Sequence, residues 1–501
     1  MAKSAVIIGG GLGGLFTGAI LSKEGVPITV IEKNATIGGG LQSFTRFGEV
    51  FDTGMHVISG MQKGGSIRRI CEYLGIFDKV HVRDVDPETI DELYFAEDKK
   101  HYRIAQGKDG FIDALTEVFP DQRENLHQYV DAMFRIVQEL DLFQLRPSSE
   151  SSNLMHSEEF MISAKEFIAR YITNERLRSI VAYINPLYGG RGDMTPAYIH
   201  CIVSTLYING PSRFAGGSDL FANSLRDAIV EHGGQVIVGD GVEKVYSADK
   251  QITHVVTHKG KSYSADYYIC AIHPCAFLSL LDDPTLLPKA YRNRLEEIPN
   301  SYSAFVANLK LKPGKVPYVN HTSYYMSRYD EIWNFGESDR PWPLGFLFMT
   351  PPEIEQGDYS TKMILTAPMT WNHVKQWEDT RVGHRGESYE AWKQQCTELL
   401  LDRMEEIYPN FRDCVEAINS ASPLTIRDYY AAKEGTMCGY SKDYKNMVLS
   451  HLPVVTKAKN LLLTGQNINL HGFCGVPLTA IQTSEVILGQ NYVLNKINNI
   501  G

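Results

Sequence analysis

Short, unbroken apolar runs and longer helical periodicities alternate along the chain and predict most of its elements. Ala5-Val6-Ile7-Ile8 and Ile28-Thr29-Val30-Ile31 read as strands buried on both faces of a parallel sheet. Leu15 to Lys23, between them, reads as a helix with small residues near its start. Residues 111–181 predict a mostly helical stretch, with periodic apolar positions in Leu126 to Leu145 and in Lys165 to Tyr183. A polar, serine-rich loop from Arg146 to Ser157 separates the two. The character changes at Gly216-Gly217-Ser218, where a helix from Leu220 to His232 leads into Gly233-Gly234 and the run Gln235-Val236-Ile237-Val238. From Val242-Glu243-Lys244-Val245 to Ile272, short strands between glycine and charged turns predict a β-meander. Its last run, Asp266 to Ala271, carries the chain back into the parallel sheet. Alternating positions over 301–370, for example Tyr302 to Leu311 and Lys362 to Ala367, predict a second, largely antiparallel sheet. A helix from Tyr389 to Tyr408 follows. Near the C-terminal end the strand Leu461-Leu462-Leu463 precedes a helix from Pro477 to Leu488, with Pro477 in its first turn.

What joins the first strand to the first helix carries chemistry. Gly9-Gly10-Gly11-Leu12-Gly13-Gly14 lies directly behind Ile8, and the second strand ends in Glu32. Strand, glycine turn, helix, strand and terminal acid make a complete dinucleotide-binding unit. Gly9 permits the tight turn, Gly11 lets the backbone approach a pyrophosphate, and Gly14 lets the helix pack close to the strand. The helix N-terminus turns free N–H groups and the positive end of its dipole towards the phosphates. Glu32 is placed to hold the ribose hydroxyls. Beyond Lys33, a second cluster, Gly38-Gly39-Gly40, exceeds what a nicotinamide dinucleotide needs. An acid followed by a glycine pair is the pattern of FAD proteins in the glutathione-reductase-like superfamily.

Composition narrows the remaining classes. A chain of 501 residues, 43% hydrophobic and 22% charged, suits two or three globular domains. Its net charge of −10, with no basic cluster, argues against nucleic acid. The N-terminal apolar stretch is the nucleotide motif rather than a signal peptide, and no apolar run approaches a bilayer span. The eight cysteines are scattered without a CxxC pair, which points to free thiols in a reducing cytoplasm and away from a disulfide reductase. Cys270 and Cys275 fit no common metal spacing, and no metal site is expected.

Four further segments, in order, resemble the phytoene-desaturase-like flavoproteins, and within them the branch of retinol saturase and plant-type carotenoid isomerase. They are Phe51-Asp52-Thr53-Gly54-Met55-His56, Phe214-Ala215-Gly216-Gly217-Ser218, Ser422-Pro423-Leu424-Thr425 with Tyr429-Tyr430 and Gly435, and Leu463-Thr464-Gly465-Gln466-Asn467 with Gly472, Gly475 and Ala480. Two positions depart from the family. Asn467 stands where an acid commonly follows Gly-Gln, and Cys438 replaces the tyrosine before the late glycine, Gly439. The resemblance implies an α/β fold: a glutathione-reductase-like, Rossmann-type FAD-binding domain (residues 1–80, 214–300 and 445–501) with an inserted α+β substrate domain (81–213 and 301–444). It implies FAD held by Gly9, Gly11, Leu12, Gly13, Gly14, Glu32, Lys33, Gly39, Gly40, Leu41, Val242, Gly465, Gln466, Asn467, Gly475, Val476 and Pro477.

The expected activity is FAD-dependent redox chemistry on a carbon–carbon double bond of a hydrophobic polyene or isoprenoid-like lipid, with saturation first and desaturation or cis–trans isomerisation second. Further alternatives on the same fold are an amine oxidase and a non-catalytic lipid carrier. Carriers have degraded cofactor contacts, whereas the motifs here are intact. His56 is the expected proton-transfer residue, since its segment lies beside the flavin in the family and an imidazole titrates near neutral pH. Asp52 reads as structural, His471 and Cys474 as loop packing, and Tyr429 and Tyr430 as core. Gly189-Gly190-Arg191-Gly192 follows a turn rather than a strand, so no NADPH motif is read and the sequence names no electron donor. The lipid substrate implies peripheral membrane contact through the helical stretch 111–181.

Overall fold

The apolar runs assemble around the first of them. In the computed structural model, which describes residues 3–54, 56–147 and 156–500, Ala5–Ile8 is the middle strand of a five-stranded sheet ordered Gln235–Ile237, Ile28–Ile31, Ala5–Ile8, Tyr267–Cys270, Leu461–Leu463. Every pair is parallel. The period of two explains why these runs are continuously apolar. Ala5, Ile7, Ile28 and Val30 face one core, shared with the helices Leu12–Lys23, Asp219–Glu231 and Gly472–Leu488. Val6, Ile8 and Ile31 face a second core, closed by the meander Val242–Ala248, Gln251–Thr257 and Ser262–Tyr263.

The second sheet is larger than the sequence pattern predicts. Its seven strands run Val415–Ala421, Ser303–Leu311, Lys362–Met369, Gly345–Met349, Thr322–Met326, Asp91–Phe95, Lys100–Ile104. All pairs are antiparallel except Thr322–Met326 with Asp91–Phe95, which is parallel. Alternation again sorts its side chains. Tyr325, Phe348 and Leu365 pack under the helix Glu387–Ile407, while Tyr324, Met326, Leu347 and Met349 turn the other way. A small sheet pairs Pro211–Phe214 with Val57–Ser59 and Val82–Asp84, binding the start of the chain to the middle.

Two readings need correction. The strands Asp91–Phe95, Lys100–Ile104 and Val415–Ala421, at the two ends of this sheet, lie outside the predicted 301–370, because a sheet recruits distant segments that local alternation cannot connect. The closing helix spans Gly472–Leu488, so Pro477 lies inside it. Of the serine-rich loop 146–157, residues 148–155 lie outside the described residues, as does Met55.

Candidate functional site

The glycine turn is built from main chain. Gly9 leaves the first strand with a φ of 111°, and a Cβ on Gly14 would lie 2.0 Å from the Gly9 carbonyl oxygen. Only hydrogen fits there, which is how the helix sits so close to the strand. Gly14 is thus a packing residue and does not line the cavity described below. The helix Leu12–Lys23 starts with no side-chain cap and no acid in its first turn, leaving its first N–H groups for an anion.

Glu32 completes the cradle. Its buried carboxylate accepts the Gly10 N–H through Oε2 and the Asn34 N–H through Oε1, both at 2.8 Å. Each oxygen keeps a further lone pair, which suits a pair of ribose hydroxyls. The second glycine cluster docks on the first: the Gly38 N–H donates to the Gly10 carbonyl at 2.8 Å, and Gly38 and Gly11 form a parallel bridge. Lys33 donates to the Asp428 carbonyl at 2.6 Å.

A cavity of about 570 Å³ opens from this cradle. Gly9, Gly11, Leu12, Gly13, Glu32 and Lys33 line one part; Gly39, Gly40, Leu41, His56, Val242, Gly465, Gln466 and Asn467 continue it. Gly475 and Val476 line it too, but Pro477 does not. The N–H groups without intrahelical partners belong to the turn starting at Gly472, not to Gly475 and Val476 as the sequence suggested. Proline served as a false start signal, since this helix carries it internally. The Asn467 Oδ1 accepts the Tyr440 N–H at 3.2 Å, which leaves its NH₂ as the donor.

Beyond these residues the wall is apolar: Ile202, Val203 and Leu206 from the helix Ala197–Asn209, and Tyr324, Met326, Leu347 and Met349 from the seven-stranded sheet. His56 lies on the same cavity with its Nδ1 buried and without a hydrogen-bond partner. Burial lowers its pKa and the Arg213 guanidinium adds to the effect, against an opposing pull from Asp52. The imidazole is therefore neutral at neutral pH. Asp52 is structural, as read: its Oδ1 accepts the Ser218 N–H at 2.7 Å and the Ser218 and Ser43 hydroxyls at 2.8 Å.

Four side chains read as core or loop packing belong to the cavity wall instead: Tyr429, Tyr430, His471 and Cys474. Burial pushes the Cys474 thiol up to about 12 and, with help from Lys442, His471 down to about 4, so both are neutral. One residue was missed. Arg213 is fully buried beside Val57 in the small sheet, and donates to the Thr350 carbonyl and to Thr322 Oγ1. Nearby, Asp91 accepts the Tyr183 hydroxyl at 2.6 Å, and burial pushes it up to about 7. Nothing around Pro211-Ser212-Arg213-Phe214 separates this arginine from a surface one by sequence.

The donor set fits a dinucleotide flavin. It has an uncapped helix start for the pyrophosphate, a half-satisfied acid for the ribose, and room that continues past the second glycine cluster to the closing helix. Among the described residues no cluster of His, Cys, Asp or Glu could hold a metal, and no helix is long and apolar enough to cross a membrane.

Residues 12–335 match the family model described as flavin containing amine oxidoreductase. The all-trans-retinol 13,14-reductase of Danio rerio is 25% identical over 97% of this chain and 86% of its own. Prolycopene isomerase 2, chloroplastic, of an Oncidium hybrid cultivar is 21% identical over 86% of this chain and 74% of its own. Among solved structures, an oxidoreductase from Methanosarcina mazei superposes with a TM-score of 0.65 at 17% identity, covering 96% of this chain and 100% of that one.

Proposed function

We propose, from the premise that this chain belongs to the flavin containing amine oxidoreductase family and is an FAD-dependent oxidoreductase, that it acts on a carbon–carbon double bond of a hydrophobic polyene. Saturation is the first reading, with desaturation or cis–trans isomerisation second. The observation that carries it is the single cavity joining the dinucleotide cradle to an apolar wall. Among the described residues Glu32 is the one carboxylate lining that cavity, and it lies on the nucleotide side. An ammonium substrate would have no counter-charge there, which favours the polyene over an amine. The names of the relatives, a retinol reductase and a prolycopene isomerase, point the same way.

When bound, the flavin supplies or accepts the hydride. The chain's own residues do the rest. Gly9, Gly11, Gly13 and Glu32 would hold the nucleotide half, and Gly465 to Asn467 with the turn at Gly472 the flavin half. Leu347, Met349 and Ile202 exclude water and orient the chain of the substrate. His56 moves the proton at its free Nδ1. We divide the chain into the cofactor domain and twice-inserted substrate domain given above. We also infer peripheral membrane contact through the helical stretch, to be checked by flotation with liposomes, in a reducing cytoplasm consistent with eight free cysteines.

The test is anaerobic incubation of the reduced holoenzyme with lipid extracts, followed by mass spectrometry. Gain of two hydrogens by a polyene supports saturation, and loss of two by the oxidised enzyme supports desaturation. Turnover of amines alone would sink the proposal.

A further inference from the structure

The end of one helix meets the cradle across the nucleotide side of the cavity. The helix Pro423–Tyr430 shares a core with the seven-stranded sheet, its Ile426 packing with Val306 and Ile364. A helix leaves its last four carbonyls without intrahelical partners. Two of them are met here by the side chains that follow Glu32. The Lys33 ammonium donates to the Asp428 carbonyl at 2.6 Å, and the Asn34 NH₂ donates to the Tyr429 carbonyl at 3.0 Å. A cation also suits the negative end of the helix dipole. The Asp428 carboxylate is paired with Arg385 and Arg427 instead. Asp428 is therefore a junction, tied to its own side through its side chain and to the cradle through its main chain.

The chain that follows is held in place by its surroundings. Ala431 has a φ of 51° and Glu434 a φ of 58°, left-handed conformations that a residue with a Cβ keeps only where its neighbours enforce them. A third tie lies beside the first two. The Tyr430 hydroxyl donates to Thr53 Oγ1 at 3.2 Å, and a Cβ on Gly54 would lie 2.6 Å from that hydroxyl oxygen. Glycine at 54 is what leaves room for the tyrosine. At the far end Gly435 lies against the Pro423 carbonyl, where a Cβ would come within 2.3 Å of the oxygen. Tyr429, Tyr430, Ala431 and Ala432 line the cavity together with Glu32 and Gly40.

We propose that residues 428–435 are a strap that gates the entry and release of FAD, clasped to the cradle by Lys33, Asn34 and Thr53. Lys33 then acts on the cofactor through the strap, as a positioning residue, and not as the direct ligand its place in the motif suggests. The inference concerns the cofactor alone and does not depend on the polyene reading. A gate is crossed in both directions, so a loosened clasp speeds entry and release alike. A residue that only touches FAD acts on release and leaves entry as it was.

The holoenzyme is mixed with a large excess of 8-chloro-FAD, and replacement of the bound FAD is followed in the visible spectrum, which gives the release rate. The dissociation constant comes from FAD fluorescence on dilution, and the entry rate from the two together. Lys33→Met and Asn34→Ala each raise the release rate by about two- to tenfold, as for one lost hydrogen bond, and raise the entry rate with it. Lys33 is exposed and Asn34 half-buried, so neither change opens a hole in the core. Tyr430→Phe removes a single hydroxyl, behaves in the same way, and keeps the test open should either polar variant load poorly. In all three, the amides of 431–435 exchange with deuterium faster than in the native holoenzyme, while those of the first strand, Ala5–Ile8, do not change. Faster release with entry unchanged overturns the strap and leaves these residues as ordinary FAD contacts. Unchanged release in every variant overturns it too, as does faster release with unchanged amide exchange at 431–435.

Discussion

The dinucleotide cradle and the sheet wall border the same cavity but are made in opposite ways. The cradle is nearly contiguous, from Ala5 to Leu41, and works through main-chain N–H groups and through places where no Cβ fits. The wall draws Val306, Tyr324, Leu347 and Thr366 from four separate strands, and works through side chains. A backbone site is intolerant of substitution at a few positions and indifferent elsewhere. A side-chain wall accepts many apolar replacements, provided its polar groups stay matched. A cradle of this kind can therefore be kept while the wall, and with it the substrate, changes.

The sharpest way to break that contrast is Gly14→Ala. The added Cβ meets the Gly9 carbonyl oxygen at 2.0 Å, so strand and helix must part where the pyrophosphate would lie. The variant is expected to purify without flavin or not to fold, as read from the visible absorbance and circular dichroism. Leu347→Ala, a larger change on the wall, is expected to keep its flavin. A yellow, fully loaded Gly14→Ala protein would remove the basis for calling the cradle a backbone site.

His56 stands between the two regions and tests the wall's chemistry. If its free Nδ1 moves the proton, His56→Ala lowers turnover by about 10²–10⁴-fold with the flavin spectrum intact. Its pKa lies below the usual histidine value, with burial the larger cause. In saturation the imidazole must donate, so kcat/KM falls as pH rises above that lowered pKa. In desaturation it must accept, and the rate falls as pH drops below it. Stability follows a fixed sign: the unfolded chain binds this proton more readily, so the contribution of His56 is present above the ordinary histidine pKa and is lost as pH falls through that range towards the lowered value. Activity per bound flavin that survives His56→Ala, with reduced flavin content, would make the residue structural.

How much of this was legible follows from the same contrast. The geometry of the cradle could be read directly, because Gly9 to Glu32 sets out turn, helix, strand and acid in local spacing. The apolar runs fixed the parallel sheet, since strands buried on both faces leave few other choices. The strands Asp91–Phe95 and Val415–Ala421 were not legible as parts of this sheet, because their partners in its middle lie far away in the chain. Tyr430 reads as core in the sequence, yet it lines the cavity and donates to Thr53 Oγ1 at 3.2 Å. Arg213 gave no signal at all, since burial and not residue type makes it unusual. Pro477 misled because proline favours the first turn of a helix, whereas this helix carries it inside.

The smallest expected effect concerns the acid that ends the cradle. Glu32→Ala removes the ribose contact, worth about 1.5–3 kcal/mol as a charge-assisted hydrogen bond, so FAD is expected to bind roughly 10- to 100-fold more weakly. Glu32 also accepts the N–H groups of Gly10 and Asn34, so the alanine variant leaves a buried and a half-buried donor unmatched before any cofactor arrives. Glu32→Gln separates the two effects. It keeps one acceptor oxygen but turns an NH₂ towards one of those backbone donors. If the ribose contact dominates, both variants lose FAD affinity while the apoprotein melts near its native temperature. If the backbone bonds dominate, the apoprotein is destabilised in both, and FAD affinity falls only as far as folding does. Unchanged flavin occupancy in Glu32→Ala would mean that the acid shapes the turn and takes no part in holding the nucleotide.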